Sequence, residues 1–173
     1  MAWQIDSAHS RVQFSVRHMM ISTVRGRFNA FSGTVEFDED NPTSSSVDVV
    51  IDVASIDTRE QQRDDHLRSP DFFDAANFPD MTFKSKRIEQ TGEKSGRMIG
   101  DLTIKDITKE VTLDVEYAGQ AKSPWGTTSA GFAASGSIDR KDFGLNWNQV
   151  LETGGILVGD AIKIDIEVEL IKQ

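Results

Sequence analysis

At 173 residues and 19.2 kDa the chain has the size of one domain, long enough to close a single core or to wrap a cavity. Its formal net charge of -9 excludes nucleic acid or an anionic membrane surface as the main partner, since both demand a basic face. With no cysteine it can make no disulfide, thiolate nucleophile or Cys-ligated metal centre.

The opening MAWQIDSAHS has no basic region followed by an apolar run, so a cytoplasmic location is expected, or a periplasmic one if a signal has been removed. No apolar run approaches the roughly 18 residues that a spanning helix needs. Alternation of period two then begins: Val12, Phe14, Val16 and His18 share one face, against Gln13, Ser15 and Arg17. Val24, Gly26 and Phe28 continue the pattern, and the phase slips by one before Phe31, Gly33, Val35 and Phe37, which predicts a bulge or bend beside Gly33. Val47, Val49, Ile51 and Val53 mark a further half-buried strand.

Residues 58–85, TREQQRDDHLRSPDFFDAANFPDMTFKS, have a different character. Leu67 is the only large aliphatic between Thr58 and Ser69, so the predicted helix has no face with which to enter a core and reads as a cover. Thr58 with Gln61 has the spacing of a capping box, and the helix should stop near Arg68 because Ser69 precedes Pro70. Strands return at residues 81–88, 97–104, 111–117, 129–138 and 161–171, the last alternating Ile162, Ile164, Ile166, Val168 and Leu170 with charged residues. Eight to ten antiparallel strands with one helical insertion predict a closed barrel or a sandwich, and residues 1–173 read as one domain.

Chemistry-bearing motifs are scarce. No G-x-S-x-G elbow occurs, and His9, His18 and His66 lack metal-ligand spacing, so no metal or cofactor is expected. His18, ending an apolar face, is either a hydrogen-bonded structural residue or a contact to a ligand's polar group; an enzyme acting on an isoprenoid or quinone would use it with a nearby carboxylate as acid and base. Asp64, Asp65 and His66 read as solvated helix residues. Arg17, Arg25 and Arg27 fall opposite the apolar faces and should point outward. In AGFAASGS, residues 130–137, Phe132 is the only large side chain; such a strand either lets a neighbour approach closely or leaves interior volume.

Five segments carry a family resemblance: IDSAHSRVQFSVRH at residues 5–18, VRGRFNAFSG at 24–33, the 58–85 segment with its RDDHLRSPDFFD core, GDLTIKDITKEVTL at 100–113 and IDRKDFGLNW at 138–147. Across nearly its whole length the chain resembles the YceI-like family of polyisoprenoid-binding, lipocalin-like proteins. The family usually has a glycine in the turn that here reads KDIT, where Asp106 can stand in. The resemblance implies an all-β fold, an extended eight-stranded antiparallel barrel with a short helical insertion. Its apolar tunnel would take a long-chain isoprenoid, a quinone or a fatty amide for binding, transport or storage. No catalytic residue is implied. Alternation and the resemblance together nominate Phe14, Val16, His18, Phe28, Val49, Ile51, Phe72, Phe73, Phe83, Leu102, Leu113, Phe132 and Ile164 as the ligand-facing set. A filled barrel acting as a homodimeric interaction module through exposed strand edges is the competing non-enzymatic reading.

Overall fold

The computed structural model describes residues 2–19, 21–148 and 158–172. Eleven strands among them form one antiparallel sheet: β1 (Ala2–Ile5), β2 (Arg11–His18), β3 (Ser22–Phe28), β4 (Phe31–Glu36), β5 (Ser46–Asp52), β6 (Ile56–Asp57), β7 (Asp80–Gln90), β8 (Ser95–Ile104), β9 (Ile107–Lys122), β10 (Thr128–Asp139) and β11 (Val158–Lys172). The order β1-β4-β5-β7-β8-β9-β10-β11 returns to β1, where Trp3 pairs with Lys172, so eight strands close a barrel. β2, β3 and β6 prolong β1, β4 and β5 beyond chain breaks, β2 pairing with the other half of β11.

The breaks are side by side. Asp6 turns the chain between β1 and β2 by accepting a bond from the Ala8 amide at 3.1 Å, and Asp52 does the same for Ala54 between β5 and β6. Asn29 and Ala30 separate β3 from β4, and their backbones bond across to Ser55 and Asp52. The phase slip foreseen beside Gly33 is therefore a strand break at Asn29–Ala30, and Gly33 pairs regularly with Val49. Lys105 and Asp106, with φ of 53° and 66°, make the two-residue turn that joins β8 to β9; an aspartate tolerates the left-handed backbone there as a glycine would.

Alternation along these strands puts one row of side chains inside. Val53, Ile56, Phe143 and Leu170 are almost wholly removed from water, each aliphatic worth about 1.5–3 kcal/mol of transfer energy. At 16 residues, β9 has a contour of about 50 Å, and a tilt near 40° makes the barrel about 40 Å long. The β2–β3 and β8–β9 connections lie at one end, with residues 58–79; the β4–β5, β7–β8 and β9–β10 connections lie at the other.

Helix α1 (Gln61–Arg68) starts two residues later than a Thr58 cap would place it. Glu60 is the cap, its carboxylate accepting from the Gln62 and Arg63 amides. Thr58 is instead buried, its amide and hydroxyl both donating to the Asp64 carboxylate, while Arg63 bonds the Thr58 hydroxyl and carbonyl at 2.8 and 2.7 Å. Asp64, 7% exposed, is thus a buried anchor and not the solvated residue expected. Arg68 reaches from the helix to the carbonyls of Ala54 and Ile56 at 2.9 and 3.0 Å, on the side of β6 that no strand occupies. Asp64→Ala is expected to lower stability by about 2–3 kcal/mol, because it strands two buried donors, with Asp64→Asn falling between. Urea-unfolding midpoints of the three proteins check this, and a midpoint unchanged in the alanine variant would refute the anchor.

Candidate functional site

The barrel is hollow. A cavity of about 550 Å³ runs from the insertion, at Leu67, Phe72 and Phe73, to the opposite end, at Glu93, Lys94 and Ser95. Of the thirteen nominated residues, twelve lie on its wall; His18 does not. His18 sits at the end of β2, paired across to Ser22 and Val158, so an acid and base built on it would have no cavity to serve. Val115, Tyr117 and Ile166 extend the wall along rows already begun by Leu113 and Ile164, and were within reach of the same alternation.

The small-residue strand does both things left open for it. A Cβ on Gly136 would lie 2.7 Å from the Leu113 Cδ2 atom, so that glycine permits close approach of β9. Ala134 faces the cavity between Val115 and Ile166 and leaves lumen free. Gly100 is likewise tight: its Cβ would meet the Phe83 ring at 2.6 Å, allowing Phe83 to lie along the wall.

Two aromatic groups close the insertion end. Phe73 packs edge-on to Phe28 with centroids 6.0 Å apart, and Phe28 lies 5.5 Å from Phe14, a line of rings from the insertion into the wall. Phe72, 7% exposed, stacks with His66 and Trp147, and His66 also bonds Asp71 at 2.9 Å. His66 is therefore part of the closure and not a free surface residue, whereas Phe78 is half-buried and away from the cavity.

Arg140 holds residues 140–148 beneath this cluster. Its side chain is 2% exposed and lines the cavity, yet its guanidinium donates to four carbonyls: Gly159 at 2.9 Å, Leu145 at 2.6 Å, Trp147 at 2.8 Å and Val158 at 3.4 Å. Asp160 completes the surroundings at 3.9 Å. Burial pushes the guanidinium pKa down, with Asp160 and Asp139 opposing.

At the far end Phe37 folds in from the β4–β5 loop against Tyr117 and Phe132, with centroids 5.4 and 5.1 Å apart. Gln120 donates to Glu39 across the same end at 2.8 Å. Burial first, and the charge of Glu39 second, push the Tyr117 phenol up, so it stays a neutral hydroxyl at physiological pH. Exposed Glu39, Glu89, Gln90, Glu93 and Lys94 join the lining here, and through them the cavity meets solvent. Elsewhere among the described residues the wall is apolar apart from Gln13 and Arg140.

No cluster of the three histidines appears among the described residues; the metal-capable group found is Asp6, His9 and Glu169, where a 2.7 Å bond joins His9 Nδ1 to Asp6 on an exposed surface. The outward arginines Arg11, Arg17, Arg25 and Arg27 are all exposed, as alternation requires.

The profile of the YceI-like domain matches residues 3–170. The chain belongs to the YceI-like family. A UPF0312 protein of Staphylococcus epidermidis is 40% identical over 168 residues, covering 96% of this chain and 95% of that one. A Staphylococcus aureus UPF0312 protein is 39% identical over 165 residues, 95% and 94% of the two chains. Among solved structures, Burkholderia cenocepacia BcnA superposes with a TM-score of 0.84 at 28% identity, over 95% of this chain and 98% of its own. The Campylobacter jejuni YCEI protein gives 0.79 at 37%, over 91% and 90%. A polyisoprenoid binding domain from Saccharophagus degradans shares the fold at 14% identity, with a TM-score of 0.69 over 97% of both chains. The described wall of this YceI-like barrel encloses a predominantly apolar lumen.

Proposed function

We propose that this YceI-like protein binds one long-chain isoprenoid, or an amphiphile of similar shape, along the axis of its barrel, and carries or stores it without chemical change. The observation that bears this reading is the cavity itself: about 550 Å³ of lumen, walled by aliphatic and aromatic side chains over the length of the barrel. The polyisoprenoid-binding domain of Saccharophagus degradans, of the same fold, supports the choice of ligand class. An interior of this volume does not suit a filled barrel acting only as an interaction module.

Burial energy is sufficient for such a role. Each buried methylene contributes about 0.8 kcal/mol, so ten methylene equivalents give roughly 8 kcal/mol before the entropic costs of binding are subtracted. Micromolar affinity then needs a chain longer than ten carbons. An isoprenoid meets that need, and its fixed double bonds leave less rotational freedom to lose than a saturated acyl chain has.

Native mass spectrometry of freshly purified protein is expected to show an adduct with the mass of one long-chain lipid, recovered by organic extraction as an isoprenoid, quinone or fatty amide. Empty protein that also takes up no prenyl compound at micromolar concentration would remove the proposal.

A further inference from the structure

The two ends of the cavity differ in charge, and the difference bears on which isoprenoid can be held. Beside the open end, β4 finishes at Glu36 and the β4–β5 loop carries Asp38, Glu39 and Asp40 with no basic residue, while opposite them Glu89 near the end of β7 and Glu93 in the β7–β8 turn are accompanied in that turn by Lys94. Three of these carboxylates, Glu39, Glu89 and Glu93, are on the cavity wall where it meets solvent. Tyr117 and Gln120 supply a hydroxyl and an amide beside them, groups that pair with a carbonyl or an alcohol as readily as with each other.

The opposite end gives an anionic group no better reception. Arg140 is the one cation on the described wall besides Lys94, and its donors are already directed at the carbonyls of Leu145, Trp147, Val158 and Gly159, with Asp160 beside them. A phosphate brought there would have to displace those bonds, which hold the chain in place. A dianionic head at the open end would instead face three carboxylates around a solvated rim, a repulsion that is strongest at low ionic strength.

Building on the isoprenoid-binding reading, we propose that the barrel selects chains with an uncharged polar head, an alcohol or a quinone, over isoprenoid phosphates, and that Glu39, Glu89 and Glu93 enforce the selection at the open end. The head lies among Tyr117, Gln120 and this rim, and the tail runs toward Phe72 and Phe73. Selection of this kind works by repulsion of the wrong ligand as much as by attraction of the right one.

The test is displacement of the neutral fluorophore N-phenyl-1-naphthylamine by geranylgeraniol and by geranylgeranyl diphosphate, two ligands with one tail. At low ionic strength the alcohol is expected to bind at least about tenfold more tightly, and the gap to narrow as salt is added. In Glu89→Gln/Glu93→Gln the gap should shrink several-fold through tighter diphosphate binding, with the alcohol little changed. Diphosphate binding as tightly as the alcohol in the unaltered protein, or a gap unmoved in the variant, overturns the selection. Failure of both ligands to displace the fluorophore defeats the isoprenoid reading itself, a result distinct from either of those.

Discussion

Replacing Ala134 by tryptophan is expected to abolish uptake of a prenyl ligand, with affinity falling at least about 100-fold. Ala134 faces the lumen on β10, in register with Val115 on one side and Ile166 on the other, at a level where three neighbouring strands bring a small side chain between two larger ones. An indole projecting from this point occupies the path of the tail. A 100-fold loss is about 2.7 kcal/mol, the contribution of only three or four buried methylenes, so an obstruction that excludes part of the chain is enough. The fold should survive, because the new ring enters open volume; overpacking of a filled core would cost about 1–3 kcal/mol. Ala133, the next residue, belongs to the outer face with Arg11, Glu116 and Glu167, and Ala133→Trp is the matched control that should bind normally. Calorimetric titration with geranylgeraniol distinguishes the two, and normal binding by the Ala134 variant would mean that the lumen is not the binding site.

Arg140→Met is expected to be the most destabilising single change described, at about 3–5 kcal/mol. The methionine keeps most of the side chain's length but leaves the carbonyls of Leu145, Trp147, Val158 and Gly159 without their donor in a site that is nearly dry. An abandoned buried acceptor costs about 1–3 kcal/mol, and relaxation toward water will recover part of the sum. Arg140→Lys should recover only a fraction, since an ammonium cannot reproduce a planar fork aimed at four acceptors. Guanidinium-unfolding curves give the comparison. A methionine variant as stable as the parent would show that the four bonds do not hold residues 140–148 in place.

Much of the barrel was legible because its physics is local. Strict alternation from Ile162 to Leu170, or from Val12 to Val16, follows directly from a wall with one apolar face, and it pointed to ten of the cavity-lining residues without knowledge of which strands adjoin, Phe72 and Phe73 coming instead from the insertion and the family resemblance. The insertion was recognisable for the converse reason, a helix with no apolar stripe. Contacts between distant segments were not legible. Asp64 reads as one of two neighbouring acids until Thr58 folds back upon it, and His66 acquires its ring partner Trp147 only when two segments far apart in the sequence meet. Arg140 stands in a charged hexapeptide that resembles any solvated turn; its four acceptors lie 5 to 19 positions away and are backbone atoms, which leave no mark in the sequence. His18 misled because alternation says which face a residue shares and not where along the strand the lumen ends.

The bond from Arg68 to the carbonyls of Ala54 and Ile56 has a meaning for the protein in a crowded solution. Where β6 ends the sheet and no strand follows, those carbonyls would be the free rungs of an unfinished ladder. An unfinished ladder recruits any passing strand, including that of an identical molecule, and is a common origin of aggregates. By filling the rungs with a guanidinium and laying a charged helix over them, the insertion keeps this edge from serving as a template for another strand.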